Sequence, residues 1–492
     1  MLDRRLFVGS ALVAGLCAPL AAQAEIILPA IDDDAIVPLA EHMLNTQYES
    51  LPDSALNTTR AQLLDTMGVA LAGRNEGGVR ELRELATFIG GRAESKVWGT
   101  TIRLPSHDAA RINAVMSHAL EYDDTFGPGF IHPSAITFSP ALAVAELVGN
   151  VSGREFLTAV TVANDIACRL SIAGQPGIDG FATGWHNTTL VGYVSSALVA
   201  GRLMRLDRDQ LIHAAGIAAH QAAGNAQSHV DSALTKRMGP GFAVAAGVFA
   251  ARLAARGLTG PRGVLEGKKG WFTQYHKGVY SRDLLLNGLG RNYPGAAMSF
   301  KPWPSCRGSH TSADAALQIA AELGVRTKSI RRIVVRNGPA ESGFLTAPIE
   351  RKRQPTTTVE AQFSVPWVVA AALIDGKIGI AHFTPEALVR PDLLLMAARI
   401  EAIQDNSLAD PSGGPGAAVV EVTTQDGRSL SRHVVAAKGD PGFSMSAAEI
   451  ASKFDDCLDY SGMERSKRIV LRTLVDRVDD LQDIVTLTDA ML

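Results

Sequence analysis

Two stretches, 188–204 and 241–256, are apolar nearly all the way round a helical wheel and rich in small residues. A helix without a polar face has to be surrounded by other elements, so this pair predicts the centre of a helical bundle. Helix signals continue on either side. Pro52-Asp53-Ser54 supplies caps for a helix running through Ala72 to a stop at Gly73. Ser152-Gly153-Arg154-Glu155 is a capping-box pattern opening a helix to about Ile172, and Asp207-Arg208-Asp209-Gln210 repeats it before 211–223. Ser139-Pro140 reads as another start, with proline at the first helical position. The character changes near Tyr293. The β-branched run Ile333-Val334-Val335 predicts one strand, and 418–424 with 432–435 around Asp426-Gly427 predicts a hairpin, with helices over 311–323 and 364–373. The expected fold is therefore mostly α. It comprises a large all-helical domain over 36–292, an inserted smaller α+β lid domain over 293–440, and a return to the helical domain over 441–492.

A chain of 492 residues is long enough for two domains, and its formal net charge of -3 carries no polyanion-binding signature, which excludes nucleic acid as a partner. Its first residues read as an address. Arg4-Arg5-Leu6-Phe7 precedes an apolar run over 8–20, and Ala22-Gln23-Ala24 has the small-x-small form of a cleavage site. This is the pattern of a twin-arginine export signal over 1–24, cut after Ala24, with the mature protein in the periplasm. The run is shorter than the ~20 residues needed to span a bilayer, so no stable membrane insertion is expected. Cys17 leaves with the leader. Cys168, Cys306 and Cys457 remain, with no spacing that suggests a disulfide framework or a zinc site.

Titratable residues concentrate in HALEYDDTFGPGFIHPS, from His118 to Ser134. Helical spacing puts His118, Glu121 and Tyr122 on one face, with Asp123, Asp124 and Thr125 following where that helix ends. His118 alone reads as a satisfied core histidine. His132 differs: fixed by Pro133 after a Gly-Pro-Gly turn and close to several acids, it is a candidate general base. His186 precedes the apolar stretch 188–204, where a helix N-terminus attracts anions. Lys236 and Arg237 precede 241–256, and cations at the positive end of a helix are unfavourable unless an anion is supplied, which suggests an anionic ligand. A third such arrangement, Lys301 to His310, carries Arg307 and ends with His310 at the start of a helix. The sequence has no Walker loop, HExxH, GxSxG or complete dinucleotide loop, so no cofactor is expected and acid/base chemistry on an anion remains. Histidines with Asp123 or Asp124 could instead bind a metal, but no two histidines stand at the i, i+4 spacing of a helical ligand pair, and no metal is expected.

From about Ile36 onward the motifs HALEYDDT...HPS, GWHNT, TKRMGPG, LTGPRGVLEGKKG, KPWPSCRGSH and EAQFSVPWVVAAALIDGK follow in order. In this the chain resembles the MmgE/PrpD family, which includes 2-methylcitrate dehydratase, cis-aconitate decarboxylase and iminodisuccinate epimerase. The resemblance implies a homodimer with an active site between a helical and an α+β domain, without metal or iron–sulfur cluster. It marks Glu121, Thr125, His132, His186, Lys236 and His310 as site residues. Many members have aspartate at the position of Glu121 and histidine at that of Phe126 or Gly239. The mechanism expected is a lyase reaction next to a carboxylate of a small di- or tricarboxylate. His132 would move the proton, Glu121 or Asp124 would orient it, and Thr125 would hold a hydroxyl. His186, Lys236, Arg307 and His310 would bind substrate carboxylates. A 2-methylcitrate-dehydratase-like hydro-lyase is the first expectation, with a decarboxylase of a cis-aconitate-like acid or an epimerase of an amino or imino dicarboxylate as alternatives. A periplasmic carboxylate-binding protein is the alternative of another class, disfavoured because 36–290 lacks alternating strands and helices.

Overall fold

The computed structural model describes residues 33–174, 184–324, 329–410 and 415–492, so the expected export signal lies outside the described residues. Helix accounts for 61% of the chain and strand for 8%, which bears out the mostly α class. The helices that build the site are α1 (Asp53–Gly73), α2 (Ser106–His118), α3 (Pro133–Val148), α4 (Gly153–Ala173), α5 (Asn187–Leu203), α6 (Arg208–His220) and α7 (Thr235–Ala254). The stretches without a polar face became α5 and α7, which pack on each other and are enclosed by α2, α3, α4 and α6. Small residues allow the close approach. A Cβ on Gly247 of α7 would lie 1.9 Å from Ser196 Oγ on α5.

Two helix starts differ from expectation, and both differences move the site. Pro140 lies inside α3, which begins instead at Pro133 with His132 at its N-cap position. Proline is tolerated there because only the Ile136 carbonyl loses its donor in a segment buried on all sides. Similarly, α7 begins at Thr235, so Lys236 and Arg237 occupy its first turn and do not precede it.

A second core lies under a four-stranded sheet of β1 (Ile330–Asn337), β2 (Ile400–Gln404), β3 (Ala418–Thr424) and β4 (Ser429–Val434), in the order β2-β1-β3-β4. β1 pairs in parallel with β2 (Ile333 opposite Ile400) and antiparallel with β3 (Val335 opposite Val420). The alternation along β3 buries Ala418, Val420 and Val422 against α8 (His310–Leu323), and Trp367, Val369 and Leu373 of α9 (Val365–Asp375) join the same core. Sequence gave no sign of β2, a short edge strand with one buried residue. The chain then returns to the first core through α10 (Ala447–Tyr460), whose Ile450, Phe454 and Leu458 pack against α1.

Candidate active site

The end of α2 makes the site. Glu121 takes a left-handed backbone conformation (φ 52°), which turns the chain sharply after the helix and points successive residues in different directions. The turn is held from several sides. Lys301 Nζ donates to the Glu121 carbonyl (3.1 Å), Gln362 Nε2 to that of Leu120 (3.0 Å) and Lys453 Nζ of α10 to that of Tyr122 (2.6 Å). Lys453 also pairs with buried Asp65 of α1 (2.6 Å). Beyond the turn, Thr125 exchanges backbone hydrogen bonds with Ser299 (2.8 and 2.9 Å).

Within this frame, hydrogen-bond partners fix the state of each histidine. His132 Nδ1 donates to the Asp124 carbonyl (2.8 Å) and lies 3.3 Å from Asp123 Oδ2, with Thr125 Oγ1 at 3.5 Å. Its Nε2 therefore keeps a lone pair and makes no hydrogen bond among the described residues. His118 Nδ1 donates to Asp123 Oδ2 (2.7 Å), and its Nε2 accepts from Lys236 Nζ (2.9 Å). Burial holds His132 below the ordinary imidazole range and His118 and His186 well below it, and pushes His229 down to about 4. Burial would raise Asp123, but His118, His132 and Lys301 outweigh it and keep the carboxylate ionised.

Asp124 turns the other way. Its carboxyl is fully buried, accepts from Gln62 Nε2 (2.6 Å) and Ser134 Oγ (2.8 Å), and burial pushes it up to about 7. The expected orienting role of Asp124 is thus corrected: its carbonyl holds the His132 tautomer, while the charged neighbour of His132 is Asp123. Lys236 pairs with Glu121, and Arg237 lies 3.7 Å from Glu76 and donates to the Gly77 carbonyl (2.9 Å). The anions that the start of α7 requires are therefore supplied by the chain itself. Burial and the nearby Lys301 hold Lys236 well below the usual ammonium range.

These groups surround a cavity of about 140 Å³, suited to a small acid. Glu121, Thr125, His132, His186, Lys236 and Arg307 all line it, whereas Asp124 does not. Nor does His310: it starts α8, is wholly buried and stands edge-on to Trp303, with ring centroids 5.3 Å apart, so it takes no part in the cavity wall. Lys301, which opens the third arrangement but was given no role of its own, lines the cavity with its Nζ 3.5 Å from Glu121 Oε2, and the wall also includes Phe130, Trp185, Asn187, His229, Cys306, Phe344 and Phe363. The partnership of Lys301 with Glu121 had no local signal, because the two meet across 180 positions of chain. The structure also gives a reason for one departure from the related motifs. A Cβ at Gly239 would meet Thr189 Oγ1 at 2.2 Å and His186 Nδ1 at 3.1 Å, so a side chain there has no room while Thr189 holds His186 (2.6 Å).

His118, Asp123 and His132 are the one trio among the described residues whose ligand atoms converge, within 4.8 Å of one another. The atoms that converge are, however, occupied in hydrogen bonds, and the Lys236 ammonium at 2.9 Å from His118 opposes a cation there. This donor set fits a proton relay better than an ion.

Comparison with known proteins agrees with the motifs. Residues 37–282 match the MmgE/PrpD N-terminal domain and 303–477 the MmgE/PrpD C-terminal domain. The chain is 26% identical over 452 residues to cis-aconitate decarboxylase of Mus musculus, covering 89% of each chain. It is 27% identical over 456 residues to that of Homo sapiens, covering 89% of this chain and 90% of the relative. A cis-aconitate decarboxylase of Aspergillus terreus is 25% identical over 408 residues, covering 79% and 82%.

Proposed function

We infer that this chain, which belongs to the MmgE/PrpD family, is a lyase that removes carbon dioxide from a small unsaturated carboxylate of the cis-aconitate kind. The observation that carries the reading is the neutral His132, its Nε2 lone pair free, in a 140 Å³ cavity lined by Lys236, Lys301 and Arg307. When the carbon–carboxylate bond breaks, its electron pair spreads over the adjacent double bond and remaining carboxylate. The lysines and arginine offset that charge. His132 takes a proton from solvent at Nε2, is stabilised in that form by Asp123 at 3.3 Å, and delivers the proton to carbon. These groups suffice without a cofactor. Decarboxylation moves ahead of dehydration because the relatives named above are decarboxylases. A dehydratase remains the second reading, favoured by the Thr125 hydroxyl, which can hold a substrate hydroxyl beside His132.

We further propose that the protein is exported by the twin-arginine route to the periplasm, on the strength of Arg4-Arg5-Leu6-Phe7 and Ala22-Gln23-Ala24, and that it pairs as a homodimer, as the family resemblance implies. The activity is tested by NMR of the purified protein with cis-aconitate in D2O. Loss of carbon dioxide with one deuterium incorporated is expected. Unchanged cis-aconitate, with no deuterium entering any of a panel of di- and tricarboxylates, would overturn the reading.

A further inference from the structure

One side chain in the cavity wall has no part in proton transfer. Cys306 is half-buried there, and its backbone is fixed at both ends: its N–H donates to the Gln362 carbonyl (2.9 Å), and its carbonyl accepts from Ser309 N (2.9 Å) and Ser309 Oγ (2.8 Å). Its sulfur makes no hydrogen bond among the described residues. Cys306 shares the cavity wall with the cationic side chains Lys236, Lys301 and Arg307, so an anion that enters the cavity is brought beside its sulfur.

A second observation points to what would meet the thiol. Arg307, the next residue, is 8% exposed, and although its guanidinium pairs with Asp440, its Nη1 is buried without a hydrogen-bond partner among the described residues. A buried guanidinium N–H calls for an acceptor that the chain does not provide. Beside two lysines in a small cavity, that acceptor is an anionic oxygen of a ligand.

We propose that Cys306 is an alkylation site for small carboxylate-bearing electrophiles, above all α,β-unsaturated acids, whose carboxylate is held by Arg307 while the sulfur attacks carbon. The carboxylate class rests on the proposed function; the alkylation does not require turnover. In the addition, the S–C bond forms at the β-carbon, the π pair moves to the α-carbon and is protonated there, and the thiol proton goes to solvent. No oxidant or leaving group is needed. The consequence is slow self-inactivation by an unsaturated substrate or product.

The test compares iodoacetate with iodoacetamide on the native full chain, read by peptide mass spectrometry at Cys306. Here the sulfur displaces iodide, and a thiolate in open water disfavours the anionic reagent by simple repulsion. In the cavity the order reverses: Cys306 is carboxymethylated on the order of tenfold faster than it is carbamidomethylated, because a cationic cleft concentrates the anion. Fumarate slows the labelling and, on long incubation, adds once at Cys306. Cys168 and Cys457, both wholly buried, stay unlabelled as internal controls. Arg307→Gln removes the preference for iodoacetate; if that variant does not fold, fumarate protection of the unaltered protein decides. Faster reaction with iodoacetamide, or a Cys306 that labels only after unfolding, would overturn the proposal. Because labelling is read by mass, it is decided independently of whether cis-aconitate is turned over.

Discussion

Asp123 Oδ2 lies 3.3 Å from His132 Nδ1, and the same oxygen accepts from His118 at 2.7 Å, so one carboxylate serves two imidazoles. The adjacent Asp124 instead sends its carboxyl into a buried chain of amides, where Gln62 donates to it and Asn164 donates to Gln62 (3.0 Å).

This separation predicts opposite outcomes for two neighbouring substitutions. Asp123→Asn removes the charge that stabilises the imidazolium and should lower kcat by ~10²–10⁴-fold, as His132→Gln should. Asp124→Asn replaces a carboxyl already pushed up to about 7 and leaves the backbone carbonyl in place, so most activity should survive. Steady-state kinetics on the pair checks this; equal losses would return Asp124 to the orienting role.

Lys236 and His132 should do separable work. Lys236→Ala leaves the buried Glu121 carboxylate with Lys301, at 3.5 Å, as its one cationic partner among the described residues. It should raise KM and cost roughly 3–5 kcal/mol of stability, the usual scale for breaking a buried pair. Adding Glu121→Gln should recover part of that stability, whereas His132→Gln should melt like the unaltered protein. Urea melts of the three variants, with KM values, measure it. A Lys236→Ala protein with unchanged melting and unchanged KM would remove Lys236 from the site.

Acid should act on the site and on the fold in opposite directions. His132 must carry a proton to deliver it to carbon and titrates below the ordinary imidazole value of 6.5, so kcat/KM should fall as pH rises through that lowered value. For stability, the folded protein binds fewer protons than the unfolded chain at His118, His132, His186 and His229. Their contribution is complete above pH 6.5 and is lost as pH falls through the folded values, about 4 for His229. Asp124, raised to about 7, works the other way, as do Asp34, Asp65, Glu76 and Asp456, but the lowered imidazoles among the described residues number seven once His107, His276 and His310 are added. Melting temperature should therefore fall on acidification below pH 6.5; a rise across that window would contradict the neutral histidines.

Replacing Arg4 and Arg5 together by lysine should leave the precursor in the cytoplasm. Fractionation and immunodetection provide the measurement, and undiminished periplasmic yield would exclude the twin-arginine route.

What could be read from the residues depended on whether the signal was local. The buried nature of α5 and α7 followed from their lack of a polar face, and Lys236 was conspicuous as a cation at a helix start. Asp123 and Asp124 were not distinguishable, because consecutive residues in an irregular turn diverge according to backbone angles, here set by the left-handed Glu121. The charge logic at Lys236 was sound but its partner was misidentified: the anion was Glu121, across 115 positions. Lys301 stood at the head of a noticed motif, but nothing near it in sequence pointed to Glu121. Pro140 misled because its rule describes isolated helix starts, and a proline buried inside a bundle is supported by packing that no local pattern reveals.

The grip of Lys453 on the Tyr122 carbonyl reaches across 331 positions. During synthesis, the turn bearing Asp123 leaves the ribosome long before the residue that clamps it from behind. A nascent chain can thus form much of its bundle while this turn still lacks the Lys453 brace. The turn therefore gains its full support only once α10 has been made.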